Sequence, residues 1–254
     1  MTISTSDWRK FIGRLSKVSS RAASDLKAWV NRRGGLANIE RQQLIDYAYA
    51  LATKYGEASS ALAAAWYDAM AEASGLILPE AEVAATVSFS EAALTVDGVL
   101  DVSANLDMLA GAVERLAKLP GMDTTLKNAI RDGAEVAWIP SGDTCAFCIT
   151  LASRGWEKAS PSMLKQGHAQ HVHSNCDCMY SVRFVPDTYV GGYDPAEYLR
   201  MYEEAEGRTS RQKINALRRR FYAENREEIR AQQNSAYAQR RELESSAAEE
   251  VDVT

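Results

Sequence analysis

All four cysteines and all three histidines of this 254-residue chain lie between Cys145 and Cys178. The segment runs Cys145-Ala146-Phe147-Cys148, then His168, His171 and His173, then Cys176-Asp177-Cys178. A two-residue gap between cysteines makes a tight knuckle whose thiolates converge on one metal at about 2.3 Å. His173-Ser174-Asn175-Cys176 repeats that gap and supplies a second knuckle, and Cys178 stands two residues further on. Five donors, Cys145, Cys148, His173, Cys176 and Cys178, compete for the four tetrahedral positions of a structural Zn2+ site. Cys145 and Cys148 are the firm pair. The other half is His173 with Cys178, His173 with Cys176, or both cysteines. His168 and His171 read as loop residues or as hydrogen-bonding support for a ligand.

Other chemistry is thin, and no catalytic residue is nominated. Nucleobase deaminases place a His-x-Glu before their CxxC, whereas here the CxxC comes first and no glutamate follows the histidines in that register. The HExxH of metalloproteases is absent. Ile139-Pro140-Ser141-Gly142-Asp143 reads as a turn, not as the buried strand that precedes a thioredoxin-like CxxC. There is no Gly-rich phosphate loop and no GxSxG elbow. Glu203-Glu204 and Glu227-Glu228 sit on solvated helix faces. The expectation is a protein that is not an enzyme.

Hydrophobic periodicity organises the rest. Trp8, Phe11, Ile12, Leu15, Val18, Ala22, Leu26, Trp29 and Val30 make one helix over Asp7 to Arg33, stopped by Gly34-Gly35. A second helix is expected from about Asn38 to Ser74, with Gly56 a weak point. Pro79 opens a short helix through Ala85, and Val87 to Leu100 is ambiguous between helix and strand. Periodicity resumes at Leu106, Leu109, Val113 and Leu116, stops near Pro120-Gly121, and returns with Leu126, Ile130 and Val136. Residues 1–136 therefore read as a helical domain.

From Trp138 to Gly192 the periodicity fades while Gly, Pro, Ser, Cys and His accumulate. Residues 137–192 read as a small zinc-stapled irregular module with a short strand or hairpin at Met179 to Val185. Such a segment does not offset its ordering entropy by burial alone, and zinc contributes on the order of 10 kcal/mol to modules of this kind. Residues 193–254 read as a long charged helical arm and tail. Asp194 is its N-cap, followed by Pro195 and Glu197, and Ser210 caps a second segment carrying Ile214, Leu217 and Phe221. Beyond Phe221 the apolar stripe thins, and Ser245 to Thr254 form an acidic tail. The fold class is thus mainly α.

Net charge is −5, which gives no global attraction to nucleic acid. Arg218-Arg219-Arg220 with Phe221 is a local basic patch, read first as a solvated helix face. No apolar run approaches the roughly 18 residues of a membrane span, and the start lacks a secretory signal. Intracellular synthesis is the default, which disfavours disulfides for the cysteines.

The motif carries a family resemblance. Ser141-Gly142-Asp143-Thr144-Cys145-Ala146-Phe147-Cys148, Leu151-Ala152-Ser153-Arg154-Gly155 and His173-Ser174-Asn175-Cys176-Asp177-Cys178 resemble the core of phage Mu F-like minor head proteins. Members show an acidic residue before CxxC, a glycine after it and a closing His-x-x-Cys-x-Cys. The usual proline after the final histidine is replaced by Ser174, and the intervening loop carries extra histidines. Tyr55-Gly56-Glu57-Ala58 and Trp66-Tyr67-Asp68 look like the helical part that precedes the motif. The resemblance implies a minor capsid or head morphogenesis protein of a tailed phage, made in the host cytoplasm and carried in the virion at the capsid interior or portal vertex. It implies portal or major capsid protein as partners, packaged DNA as a candidate contact, several copies or a homo-oligomer, and no membrane in the assembled particle. The alternative is a zinc-bearing nucleic-acid-binding protein, which fits the Arg218 to Arg220 cluster. A metal-dependent hydrolase or capsid protease is the third reading and lacks a nominated base.

Overall fold

The computed structural model describes residues 2–102, 105–141, 144–165, 178–227 and 230–231. Helix α1 (Thr5–Asn31) starts where Ser4 accepts the Asp7 N–H at 3.0 Å, an N-cap that satisfies an otherwise orphaned donor. It buries the periodic face, from Trp8 and Phe11 to Leu26 and Val30. It ends at Gly34 and Gly35, whose φ of +76° and +107° suits residues without a Cβ. Helix α2 (Arg41–Ala73) follows, then α3 (Phe89–Val102) and α4 (Leu106–Asp132). The ambiguous stretch from Val87 is therefore helical, and Ser88 caps it by accepting the Glu91 N–H at 3.2 Å.

Two hydrophobic clusters show how the four helices run. One joins Leu26 and Val30 of α1 to Leu44 and Leu51 of α2, Val96 of α3, and Leu109 and Val113 of α4. The other joins Trp8 and Phe11 to Tyr67 and Met70, and to Met122 and Leu126. The early halves of α2 and α4 thus lie together, as do their late halves. These two helices run parallel, with α1 antiparallel to both.

Three expectations about this region are corrected. Pro120-Gly121 does not stop a helix, because α4 continues through both residues to the left-handed Gly133. Gly56 is not a weak point but a packing position, where an added Cβ would stand 3.0 Å from Pro120 Cγ. At Gly121 an added Cβ would stand 2.5 Å from Ser59 Oγ and 3.1 Å from its carbonyl oxygen. The missing side chains let α2 and α4 touch backbone to side chain. Lastly, Pro79 opens no helix, since residues 76–88 run without helix or strand. Their backbone groups are taken up by side chains instead. Asp68 accepts from Ala81 N at 2.8 Å, and Thr124 from Ala84 N at 2.9 Å. Asn128 both accepts from Glu82 N and donates to Glu82 O at 2.9 Å. These bonds satisfy backbone polar groups that no helix would serve.

After Gly133 the chain enters β2 (Glu135–Ile139), the centre of a three-stranded antiparallel sheet flanked by β3 (Glu157–Lys158) and β4 (Met179–Arg183). Helix α5 (Ala146–Ala152) and the short α6 (Pro161–Lys165) lie between these strands. Strand β4 arises where expected; β2 does not, because Val136 reads as the tail of the preceding helical period. At the N-terminus β1 (Thr2–Ile3) pairs in parallel with β5 (Tyr189–Val190). The second cluster crosses residue 136 without a break, joining Leu126 and Ala129 to Val136, Trp138, Cys148, Met179, Tyr180 and Val182.

The expected cap of α7 (Pro195–Glu204) is present, with Asp194 accepting the Ala196 N–H at 2.9 Å. Helix α8 (Ser210–Glu224) is capped one residue earlier than expected, by Thr209 in a capping box with Gln212. Ile214, Leu217 and Phe221 pack with Tyr198 onto Ala146 and Ile149 of α5. The arm thus folds back on the module as far as α8. The acidic tail from Ser245 lies outside the described residues. The described chain is mainly helical with small sheets, and none of its helices is long and apolar enough to cross a membrane.

The α2 and α4 seam makes an opposite-sign pair of predictions. Gly121→Ala forces Ser59 and its backbone aside and should destabilise by about 1–3 kcal/mol, despite a helix-propensity gain of about 1 kcal/mol. Gly98→Ala, inside α3 with open space around the added methyl, should stabilise by up to about 1 kcal/mol. Urea unfolding of the two variants compares them directly.

Candidate metal centre

Cys145 is the N-cap of α5, in extended backbone conformation, and its Sγ accepts the Cys148 N–H at 3.4 Å. Cys148, one turn into the helix, is 1 % exposed, and Cys178 is 3 % exposed. No disulfide joins these three cysteines to one another.

The sheet register brings Cys178 to the end of the sheet from which the chain leaves toward Cys145. Ile139, the last residue of β2, pairs with Met179, the first residue of β4. Cys178 therefore stands just before β4 at the edge where β2 leaves toward Cys145. Cys148 and Cys178 share the cluster that crosses the sheet, with Cys145 and Phe147 packed against it. Helix α7 approaches from the other side. Burial chiefly raises the Tyr198 hydroxyl above its ordinary range, and the negative groups of Glu197 and Cys178 add to that. Tyr198 in turn packs with Ala146 and Ile149, so Cys178 and the first turn of α5 face a common neighbour.

His173 and Cys176, with His168 and His171, lie outside the described residues. Among the described residues no three His, Cys, Asp or Glu side chains are grouped to hold a metal ion. What the structure brings to one end of the sheet is Cys145, Cys148 and Cys178. Sulfur donors of this kind are the chemistry that a structural zinc site uses.

Several residues that support this corner carry no motif signal. Tyr193 donates its hydroxyl to Ala152 O at 2.8 Å, closing the last turn of α5, and stacks on Tyr198 with centroids 5.9 Å apart. Arg183 bonds Glu135 Oε2 at 2.6 Å and lies 4.8 Å over the Trp156 ring, tying β4 to β2 and to the turn before β3. Trp138 and Tyr180, paired across the strands, meet edge to face at 4.9 Å. The usable signal in the sequence was aromatic density between Trp138 and Tyr198, which reads as packing before it reads as site support.

No curated protein and no solved structure matches this chain. A family model described as VG15 protein matches residues 2–205, which takes in the helices, the sheet, the cysteine corner and α7. The chain belongs to the VG15 protein family, a family of viral gene products.

Proposed function

We propose that this protein is a structural minor capsid or head morphogenesis protein of a tailed phage, with a zinc-stapled corner joining its helical body to its C-terminal helices. The observation that carries the reading is the paired motif, CxxC followed by HxxCxC, with Cys145, Cys148 and Cys178 at one end of a buried sheet. Membership of a viral family supports a phage-encoded, virion-associated protein. The likeness of the motif to Mu F-like minor head proteins supports the head assignment, with portal or major capsid protein as partners. The reading is of a protein without catalytic activity, acting through its surfaces.

Cys145 and Cys148 would supply one half of the metal site, and His173, Cys176 and Cys178 would compete for the other half. Zinc, when bound, crosslinks its ligands without redox chemistry. The shared core changes what the staple has to do. Val136, Trp138, Met179, Tyr180 and Val182 are buried, so apolar burial supports the sheet as well as metal. The staple is then needed chiefly at the corner where β2 leaves and β4 enters.

Two measurements test the proposal. Hydrogen exchange before and after chelation should show protection lost over α5 and the start of β4, and kept over α1, α2 and α4. Unchanged protection at Cys145 to Leu151 would remove the staple. Mass spectrometry of purified particles and procapsids should find the protein in at least one of them, and its absence from both would refute the capsid role.

A further inference from the structure

We infer that α8 is a binding surface for the phosphate backbone of duplex nucleic acid. Five cationic side chains and one carboxylate, Glu224, lie on this 15-residue helix, in a chain whose net charge is −5. Positive charge is therefore concentrated here against the sign of the whole molecule.

The contacts of α8 divide its cations into two groups. Lys213 donates to the carbonyls of Tyr202, Glu203 and Ala205 at 2.9–3.0 Å, which caps α7 and fixes α8 against it. Arg220 pairs with Glu224 at 2.8 Å. Arg211, Arg218 and Arg219 are exposed, and among the described residues no carboxylate lies within ion-pair distance of them. Arg208, exposed just before the helix cap, adds a fourth such guanidinium. Helical spacing puts Arg211, Asn215, Arg218, Arg219 and Tyr222 within one arc of the surface. Arg208, Gln212, Asn215 and Arg219 also line a shallow cleft together with Glu206 and Gly207.

The geometry suits a phosphate lattice. Arg211 and Arg218 are separated by two helical turns, about 10 Å along the axis. A duplex presents about six negative charges over that length, at one per about 1.7 Å. Guanidinium groups bind phosphate in bidentate fashion, and Asn, Gln and Tyr are further donors to phosphate oxygens.

The same observations disfavour other polyanions. Ile214, Leu217 and Phe221 are turned onto α5, so no apolar face remains for insertion into a lipid surface. Single strands are held on rows of exposed aromatic rings, and this arc offers Tyr222 alone. An acidic protein partner would call for a central apolar anchor, which the arc lacks. The inference goes beyond the capsid reading and does not depend on it or on the metal.

Fluorescence anisotropy with a labelled short duplex of mixed sequence tests it on the full chain. The wild type should bind with affinity falling steeply as salt rises. The variant R208Q/R211Q/R218Q/R219Q should lose about tenfold in affinity at low salt, with its log–log salt slope flattened by about 2–4. R9Q/R14Q, on the exposed face of α1, should leave both unchanged, and circular dichroism checks that each variant is folded. No duplex binding by the wild type, or a slope unmoved in the α8 variant, overturns the inference. Equal affinity for polyglutamate or for anionic phosphatidylserine vesicles overturns it as well.

Discussion

The contact between α2 and α4 sets the spacing on which the other elements depend. Gly121 lies against Ser59 at a distance that leaves no room for a methyl group, and Gly56 lies tight against Pro120. Two parallel helices held this close bury Ser59, Ser60, Thr124, Thr125 and Asn128 among apolar neighbours, and buried polar groups need partners. Thr124 and Asn128 find them in the extended segment that crosses the seam, and Ser60 donates to Ala84 O at 3.3 Å. The segment without helix or strand is thereby as firmly specified as a strand would be. Its backbone is satisfied by side chains that are 13–52 residues away in sequence.

The late half of α4 then carries the sheet. Leu126 and Ala129 belong to the same cluster as Val136, Trp138 and Val182, and Gly133, at φ +66°, turns the chain from helix into β2. Because β2 and β4 pair from Glu135 and Arg183 to Ile139 and Met179, their far end is the place where Cys178 arrives and the chain departs toward Cys145. Helices α7 and α8 close that corner from outside through Tyr198, Leu217 and Phe221. The cysteine corner thus joins three parts: the helical body, the sheet and the C-terminal pair of helices.

Local signals in the sequence were read well where the physics is local. Asp194 and the Gly34-Gly35 pair act within a turn of themselves, and they appear as a cap and a stop. Signals failed where a distant element decides. Pro120 removes one helical hydrogen bond, yet the packing of α4 against α2 carries the helix through it. Pro79 suggested a helix start, but Asp68, Thr124 and Asn128 hold the segment extended. Strand β2 was missed because Val136, Ala137, Trp138 and Ile139 are all buried, so it lacks the alternation of a half-exposed strand and Val136 reads as the tail of the preceding helical period. Of the five candidate ligands, the register places Cys178 at the end of the sheet from which the chain leaves toward Cys145. That register could not be read before β2 was known.

The proposed zinc staple requires sulfur from both halves of the motif to meet on one ion at this corner. X-ray absorption at the zinc edge, on full-length protein purified without chelators, reads that directly. A zinc-stapled corner should hold one zinc per chain with two or more sulfur ligands at about 2.3 Å, the remaining positions being nitrogen or sulfur. Protein that folds without stoichiometric zinc, or zinc surrounded only by oxygen and nitrogen, would contradict it.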